Sequence, residues 1–474
     1  MDNSKIIKQI KFINSLDEFF QVIPINENKN ISFHHHLRNG DYVLNMVLDY
    51  YIKNQITDIN LFPSAIFPSY TNILELLKNN QINNITTNYL NGPTAEYITS
   101  NGLNGTLRMQ THGGRARSII DGKSSIDIAF IACPYVDENG NGIGYKGPNK
   151  CGSLGYAIPD SEHAKIVVLV TDYITEDTIS NPEIKGSNVD YIIKVDSIGD
   201  NNGIVSGTTN VTTNPIGVKI AKNTSRLLHE LGVIKNGFSF QSGAGGVSLR
   251  VTKDVKDIMI KEKIKASFFS GGITKYHVEM LEENLVEKLY DVQCFDLEAI
   301  SSLSRNKEHH AISASRYANP DDPKMVVKDL DVVILGATEI DYDFNVNVTT
   351  DSHQTLIGGS GGHSDTASEA KLTVIVSPLI KGRIPIIRDR VTTITTLGKN
   401  VDCFVTERGI AINPKRTDIL EKLKNTRLNI IAIEDLANKA YSYTGIPKES
   451  TNHQTKIGVV EDRTYDIIDN IYKK

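Results

Sequence analysis

Ile126-Asp127-Ile128-Ala129-Phe130-Ile131 and Leu330-Asp331-Val332-Val333-Ile334-Leu335 read as one pattern written twice, 204 residues apart. Each is an apolar, largely β-branched run with an aspartate near its start, the composition of a strand buried on both faces. At the same offset Asp137 stands opposite Asp341 and Asn141 opposite Asn345. Ala164–Val170 matches Ala370–Val376 at an offset of 206, Val189–Ile193 matches Val401–Val405 at 212, and Ser32-Phe33 matches Ser239-Phe240 at 207. Such matches, in order and with slowly drifting offsets, imply two copies of one domain, the period being far too long for a solenoid.

Around these anchors, residues 126–132, 165–170, 190–195, 331–336, 372–376 and 402–406 read as buried strands. Asp41 is placed to cap a helix running to about Ile56, and further helices are expected over 217–231, 250–263, 275–289 and 416–425. Strands alternating with helices predict an α/β fold with mostly parallel sheets covered on both faces. The division between copies is expected in the polar loop Ser206–Pro215 or the helix after it, giving domains 1–215 and 216–474.

Composition narrows the function. The 474 residues carry 51 Lys+Arg against 56 Asp+Glu, a net charge of −5, so no basic excess is available for nucleic acid or an anionic membrane. Hydrophobic residues at 39% and charged residues at 23% fit an ordinary globular enzyme. Residues 1–25 interleave charges with apolar positions and are not expected to be a leader. The apolar run Ile128–Val136 falls far short of the ~18 residues of a membrane span. Cys133, Cys151, Cys294 and Cys403 lack CxxC spacing, which suggests neither a zinc nor a disulfide framework and fits a cytoplasmic protein.

Four segments could carry chemistry. Gln241-Ser-Gly243-Ala-Gly245-Gly246 and Gly358-Gly359-Ser-Gly361-Gly362-His-Ser-Asp365 are glycine-rich, so backbone can approach a ligand and direct successive N–H groups at an anion. The first lacks the Lys-Ser/Thr of a P-loop and neither fits GxGxxG in its strand–turn–helix setting; tight turns are the plain alternative. Glu339 follows the strand 331–336, where open α/β sheets place ligand-binding residues. Its counterpart is Tyr135, whereas Asp341 and Asn345 recur; a scaffold residue tends to recur in both copies, while a catalytic carboxylate need occur once. Thr111-His112-Gly-Gly-Arg115-Ala-Arg117 sets two guanidiniums and an imidazole about a turn, suited to a polycarboxylate or phosphate, or to structural salt bridges. His34-His35-His36 is not read as a metal cluster, since adjacent side chains of an extended run face opposite ways. Asp137–Gly142 opens like an EF-hand loop but has Pro148 where a bidentate Glu is needed. No metal is expected.

Taken in order, Ile31–Arg38, His112–Arg115, Cys151–Tyr156, Gln241–Gly246, Ser267–Thr274, Glu339–Asn347, Gly359–Asp365, Lys381–Pro385 and Gly409–Pro414 resemble the α subunits of bacterial citrate lyases over nearly the whole chain. CoA-transferases of the same fold carry Gln-x-Gly-x-Gly, Glu-Ile/Val-Asp and Gly-x-Gly-Gly-x-x-Asp motifs, here Gln241-Gly243-Gly245, Glu339-Ile-Asp341 and Gly359–Asp365. The resemblance implies two tandem CoA-transferase-like domains, the first on the citrate side and the second carrying Glu339 and the glycine loops. It implies exchange of acetate for citrate on an acyl-carrier thioester, acetyl-carrier plus citrate giving citryl-carrier plus acetate. The thioester sits on the carrier's phosphoribosyl-dephospho-CoA arm, with acetyl-CoA as a substitute, and the chain binds no cofactor of its own. The implied partners are a carrier protein (γ) and a citryl-cleaving β subunit, within a large complex containing several copies of this chain.

On that reading Gly361 and Gly362 offer N–H groups to the oxyanion. Gln241, Gly243, Gly245, Gly246, Gly359 and Asp365 receive the thioester arm, and His112, Arg115 and Arg117 hold citrate. Glu339 either attacks the thioester, as the matching residue does in many relatives, or serves a ternary complex in which citrate attacks directly through a mixed anhydride. A citramalate lyase α subunit, a thioester hydrolase and a non-catalytic sensor of the same fold are the competing expectations.

Overall fold

In the computed structural model, residues 10–205, 209–447 and 455–474 are described; of the Ser206–Pro215 loop, residues 206–208 lie outside them. Two open twisted sheets organise the chain, one of ten strands and one of eight. Seven strands of the first run in the spatial order Tyr191–Lys194, Ile166–Thr171, Ile128–Ala132, Asn30–Phe33, Ile59–Pro63, Ile82–Thr87 and Leu107–Met109, all parallel. Seven strands of the second repeat that order as Cys403–Val405, Leu372–Val376, Val332–Gly336, Ser239–Ser242, Ala266–Ile273, Val286–Cys294 and His309–Ala311, again all parallel. The molecule is therefore an α/β protein with two similar sheet-containing domains. The first sheet also takes Lys11–Ile13 at one edge and, at the other, the hairpin Lys456–Glu461 and Ile467–Tyr472, whose first strand pairs with Leu107–Met109. Lys11–Ile13 and the hairpin thus extend one sheet at its two edges.

All six strands anticipated in the duplicated segments are present within a residue or two at each end, and Ile128–Ala132 and Leu372–Val376 are buried throughout. The five expected helices correspond to Val43–Lys53, Pro215–Glu230, Gly246–Glu262, Lys275–Glu282 and Thr417–Leu423. Asp41 accepts from the Val43 and Leu44 N–H groups, satisfying two orphan donors of the first turn. The expected helix over 275–289 is a correction: it stops at Glu282, Asn284 turns left-handed at φ 59°, and Val286–Cys294 continues as a strand. The apolar spacing of Val286, Leu289 and Val292 suits either element, and sheet pairing decides it.

After Ile128–Ala132 and after Val332–Gly336 comes a smaller ribbon, and these too correspond. Tyr135–Asp137 pairs with Gly142–Ile143 and Ile174–Thr175; Glu339–Asp341 pairs with Val346–Asn347 and Ile387–Arg388. Asp137 accepts from the Asn139, Asn141 and Ile179 N–H groups and from Asn141 Nδ2; Asp341 accepts from the Asp343, Asn345 and Val391 N–H groups and from Asn345 Nδ2. The residues that recur in both copies hold the same turn. Ala116 and Tyr156 of the first half pack with Val292, Ile312 and Tyr317 of the second in a shared apolar cluster that brings the carboxyl ends of the sheets together.

Candidate functional site

The strands Ile82–Thr87 and Leu107–Met109 end in loops that meet the Gly358–Asp365 loop of the other domain. Leu90 N donates to Gly358 O at 3.1 Å, Gly361 N to Asn88 O at 3.1 Å, and His112 N to Gly361 O at 2.9 Å. Close approach explains the glycines. A Cβ on Gly359 would stand 2.3 Å from Asn88 O, and one on Gly362 2.5 Å from the Tyr317 hydroxyl. Gly361 adopts φ +51°, with His112 Nε2 3.2 Å from the place of its absent Cβ.

His112 starts the helix His112–Ile120 and packs its ring against Tyr156 with centroids 4.3 Å apart. Burial, then the nearby Arg115 charge, brings its pKa down to about 3, so the imidazole is neutral at physiological pH. The helix N-terminus acts in the same direction. Asp365 accepts from the Gly113 N–H at 2.9 Å and is pushed up to about 6 by burial. It stitches the two loops together. The Gly361 N–H is spent on Asn88 O.

The two arginines of the turn both have partners within the chain. Arg115 is buried and grips Asp160 through both Nη atoms at 2.8 Å, with a further bond to Phe62 O. Arg117 bonds Asp321 and the Arg463 carbonyl and lies over the Tyr465 ring. Neither presents a free fork to an acceptor. Asp160 is 45 residues from Arg115, so no local pattern announces the pair.

Gln241 ends a strand with its amide also committed: Nε2 donates to Tyr317 Oη at 2.7 Å and Oε1 accepts from Ser270 at 2.9 Å. It lies over Gly271, whose φ of +96° and missing side chain make the room. Through Tyr317 it reaches Gly362. Beyond it the loop is open: a Cβ on Gly245 would meet nothing within 4 Å. Gly245 leads into the 17-residue helix Gly246–Glu262, so this loop does occupy a strand–turn–helix setting. That arrangement suits a phosphate-bearing arm.

Glu339 stands apart from these contacts. It is fully buried and accepts five hydrogen bonds: from Asn347 Nδ2 at 2.9 Å, Ser352 Oγ at 2.6 Å, Arg388 Nε at 3.1 Å, and Thr392 N and Oγ1 at 2.8 and 3.1 Å. Burial raises its pKa, but the bonds from Ser352, Asn347 and Thr392 and the Arg388 charge outweigh that and leave it below the usual value. Asn347 Oδ1 accepts from Thr349 N, and Thr349 O accepts from Gly358 N, linking the carboxylate to the glycine loop. The sequence singles out Glu339 but none of Ser352, Arg388 or Thr392, which lie 13 to 53 residues away.

Among the described residues no group of three or more His, Cys, Asp or Glu is placed to hold a metal, and no helix is long and apolar enough to cross a membrane. The four cysteines are buried and free.

The family model for "Citrate lyase, alpha subunit (CitF)" matches residues 9–474. The chain belongs to the citrate lyase α-subunit family. A citrate lyase α chain of Haemophilus influenzae is 41% identical over 470 residues, covering 99% of this chain and 94% of that one. A Streptococcus mutans structure, assigned to the α subunit of citrate lyase and solved in complex with citrate, superposes with TM-score 0.94 at 41% identity, covering 99% of this chain and 92% of that one. A 4-hydroxybutyrate CoA-transferase of Porphyromonas gingivalis shares the fold alone, at TM-score 0.56 and 15% identity over 91% of this chain and 96% of that one. The chain is accordingly a CoA-transferase-type enzyme, carrying out the acyl transfer of the citrate lyase α subunit in citrate fermentation.

Proposed function

We propose that transfer takes place where the His112 turn meets Gly361-Gly362, and that it runs without an acyl-enzyme. A citrate carboxylate oxygen attacks the acetyl thioester carbonyl, forming acetyl-citryl anhydride and expelling the carrier thiolate. The thiolate then attacks the citryl carbonyl of the anhydride, forming the citryl thioester and releasing acetate. The observation that carries this reading is the neutral imidazole of His112 against the glycine loop, at the junction of both sheets' carboxyl ends. A neutral ring donates to the oxyanion of either tetrahedral step without delivering a proton to the attacking carboxylate. The Gly362 N–H is the second donor, and such preorganised donors each lower the barrier by about 3–4 kcal/mol.

Glu339 serves this chemistry by position. Two oxygens holding five donors have no lone pair directed at a thioester, and the carboxylate fixes the 347–358 segment that delivers Gly358–Gly362. The open Gly243–Gly246 loop takes the phosphates of the carrier arm. The domains divide near residue 215, with the C-terminal hairpin returning to the first. The partners on this reading are the γ carrier, whose arm bears the thioester, and a β subunit that cleaves the citryl product.

The test supplies purified chain with acetyl-CoA and citrate and follows products by rapid quench and mass spectrometry. Citryl-CoA and acetate should form only with citrate, and trapped enzyme should carry no added CoA mass. A CoA-bearing enzyme would overturn the direct route.

A further inference from the structure

Arg115, Arg117 and Arg388 all have carboxylate partners, whereas the half-buried Arg38 does not. Arg38, at the end of the His34–His36 run, makes no ion pair among the described residues, and its buried Nη1 has no hydrogen-bond partner. It sits between two rings, Phe67 of the first domain at 5.4 Å and Phe295 of the second at 5.2 Å. Phe295 fits there because Gly272 has no side chain; a Cβ on Gly272 would lie 1.8 Å from that ring. Aromatic faces attract a cation but satisfy none of its in-plane N–H donors. A buried guanidinium with an idle N–H is costly unless a ligand supplies the anion.

Other features mark the same place. Arg38 has φ +53°, a left-handed conformation that a non-glycine residue adopts only when its surroundings impose it. Burial weakens its hold on the proton, and the groups acting the other way are the phenols of Tyr89, Tyr70 and Tyr156. The Tyr70 hydroxyl and the Asn88 and Asn91 side-chain oxygens are likewise buried without partners. Tyr89 joins this cluster to the reacting loop: its ring centroid is 5.6 Å from that of Phe67, and its Cε2 is 3.6 Å from where a Cβ of Gly358 would lie.

We propose that Arg38 receives a non-reacting carboxylate of citrate through its Nη1 edge, in the role that Arg115 and Arg117 cannot fill. The assignment rests on the transfer site proposed above. Phe67 and Phe295 hold the guanidinium plane fixed, so the fork is ready before citrate arrives.

Citramalate provides the discriminating probe, because it carries a methyl where citrate carries one carboxymethyl arm. In the full chain Arg38→Met should raise the KM for citrate roughly 10- to 100-fold, the range for losing a charge-assisted, bidentate contact. The KM for acetyl-CoA should change less than about threefold, and the preference for citrate over citramalate should collapse. Arg38→Lys, which keeps the charge and loses the fork, should fall between and decides the question if Arg38→Met does not fold. Citrate-dependent thermal stabilisation of each variant reads binding without turnover. A folded variant with unchanged citrate KM, or with citrate and acetyl-CoA affected equally, overturns the proposal. Wild-type chain that is stabilised by citrate but makes no citryl-CoA overturns the transfer reading, and loss of that stabilisation in Arg38→Met would still support Arg38.

Discussion

Two ribbons of the same shape do different work in the two halves. At equivalent positions the first has Tyr135, Ile143 and Thr175, and the second has Glu339, Asn347 and Arg388. In the first, the Tyr135 hydroxyl donates to Thr175 Oγ1 at 3.1 Å and its ring stacks on Tyr173. In the second, a buried carboxylate is held by an amide and a guanidinium from those same places. The Asp–Asn pair that builds the turn is unchanged between them. The difference therefore lies in a unit of three residues exchanged together on a conserved scaffold, and it locates specialised chemistry in the second half.

The comparison is broken most severely by removing Glu339. Glu339→Ala leaves Arg388 buried without its partner and should cost about 3–5 kcal/mol in denaturant unfolding. Tyr135→Ala, at the half-buried equivalent, should cost only ~1 kcal/mol. Glu339→Gln should retain the fold while lowering transfer by about 10²-fold or more, because the 347–358 segment loosens around the glycine loop. Tyr135→Phe should leave turnover as it is. Equal effects at the two positions would show that the exchanged unit is structural.

The duplication is legible because strands buried on both faces are written as apolar runs, and such runs align even at low similarity. Ile82–Thr87, with the sequence INNITT, carries no such run and is identified only by its place in the sheet. Within the site, the contrast of Glu339 with Tyr135 is visible in one dimension, since both sit at a fixed offset. Arg115 reads as free for the opposite reason: its partner, Asp160, is brought to it by the fold. Arg38 escapes notice because what distinguishes it is a missing partner, and sequence shows residues but never their lack of contacts.

The recurring aspartates sharpen the comparison. Asp137→Asn and Asp341→Asn each disturb a carboxylate that ties down three backbone N–H groups, and each should destabilise by about 1–3 kcal/mol. The two costs should agree to within ~1 kcal/mol, and neither should alter the ratio of citrate to acetyl-CoA KM. A large kinetic effect from Asp341→Asn alone would extend the specialised unit beyond three residues.

The junction between the halves predicts opposed pH dependences. His112 has its folded pKa lowered from 6.5 to about 3, so between these values the unfolded chain binds more protons and stability rises with pH. Asp365 has its pKa raised from 3.8 to about 6, so across that window the folded chain binds more protons and stability falls with pH. The stability of wild type minus His112→Gln should grow by about 2 kcal/mol from pH 5 to 7, and wild type minus Asp365→Asn should shrink between pH 4 and 6. A His112→Gln difference independent of pH would mean the imidazole is solvated, and would withdraw the neutral donor from the reaction.

The smallest effect is expected at Arg117, and it separates the two ends of the His112 turn. Its partner Asp321 is 60% exposed, and the pair lies on the outer face near Tyr465, where solvent screens the charges. Arg117→Ala should therefore cost less than about 1 kcal/mol, with most of that from the lost packing on the Tyr465 ring. Citrate and acetyl-CoA KM should both stay within twofold. Arg115→Ala, two residues earlier, leaves Asp160 in the core with only His34 beside it and should be far more damaging without being selective for citrate. If Arg117→Ala instead raised the citrate KM alone, the carboxylate-binding role would return to this turn, and the contrast between a paired Arg117 and an unpaired Arg38 would lose its meaning.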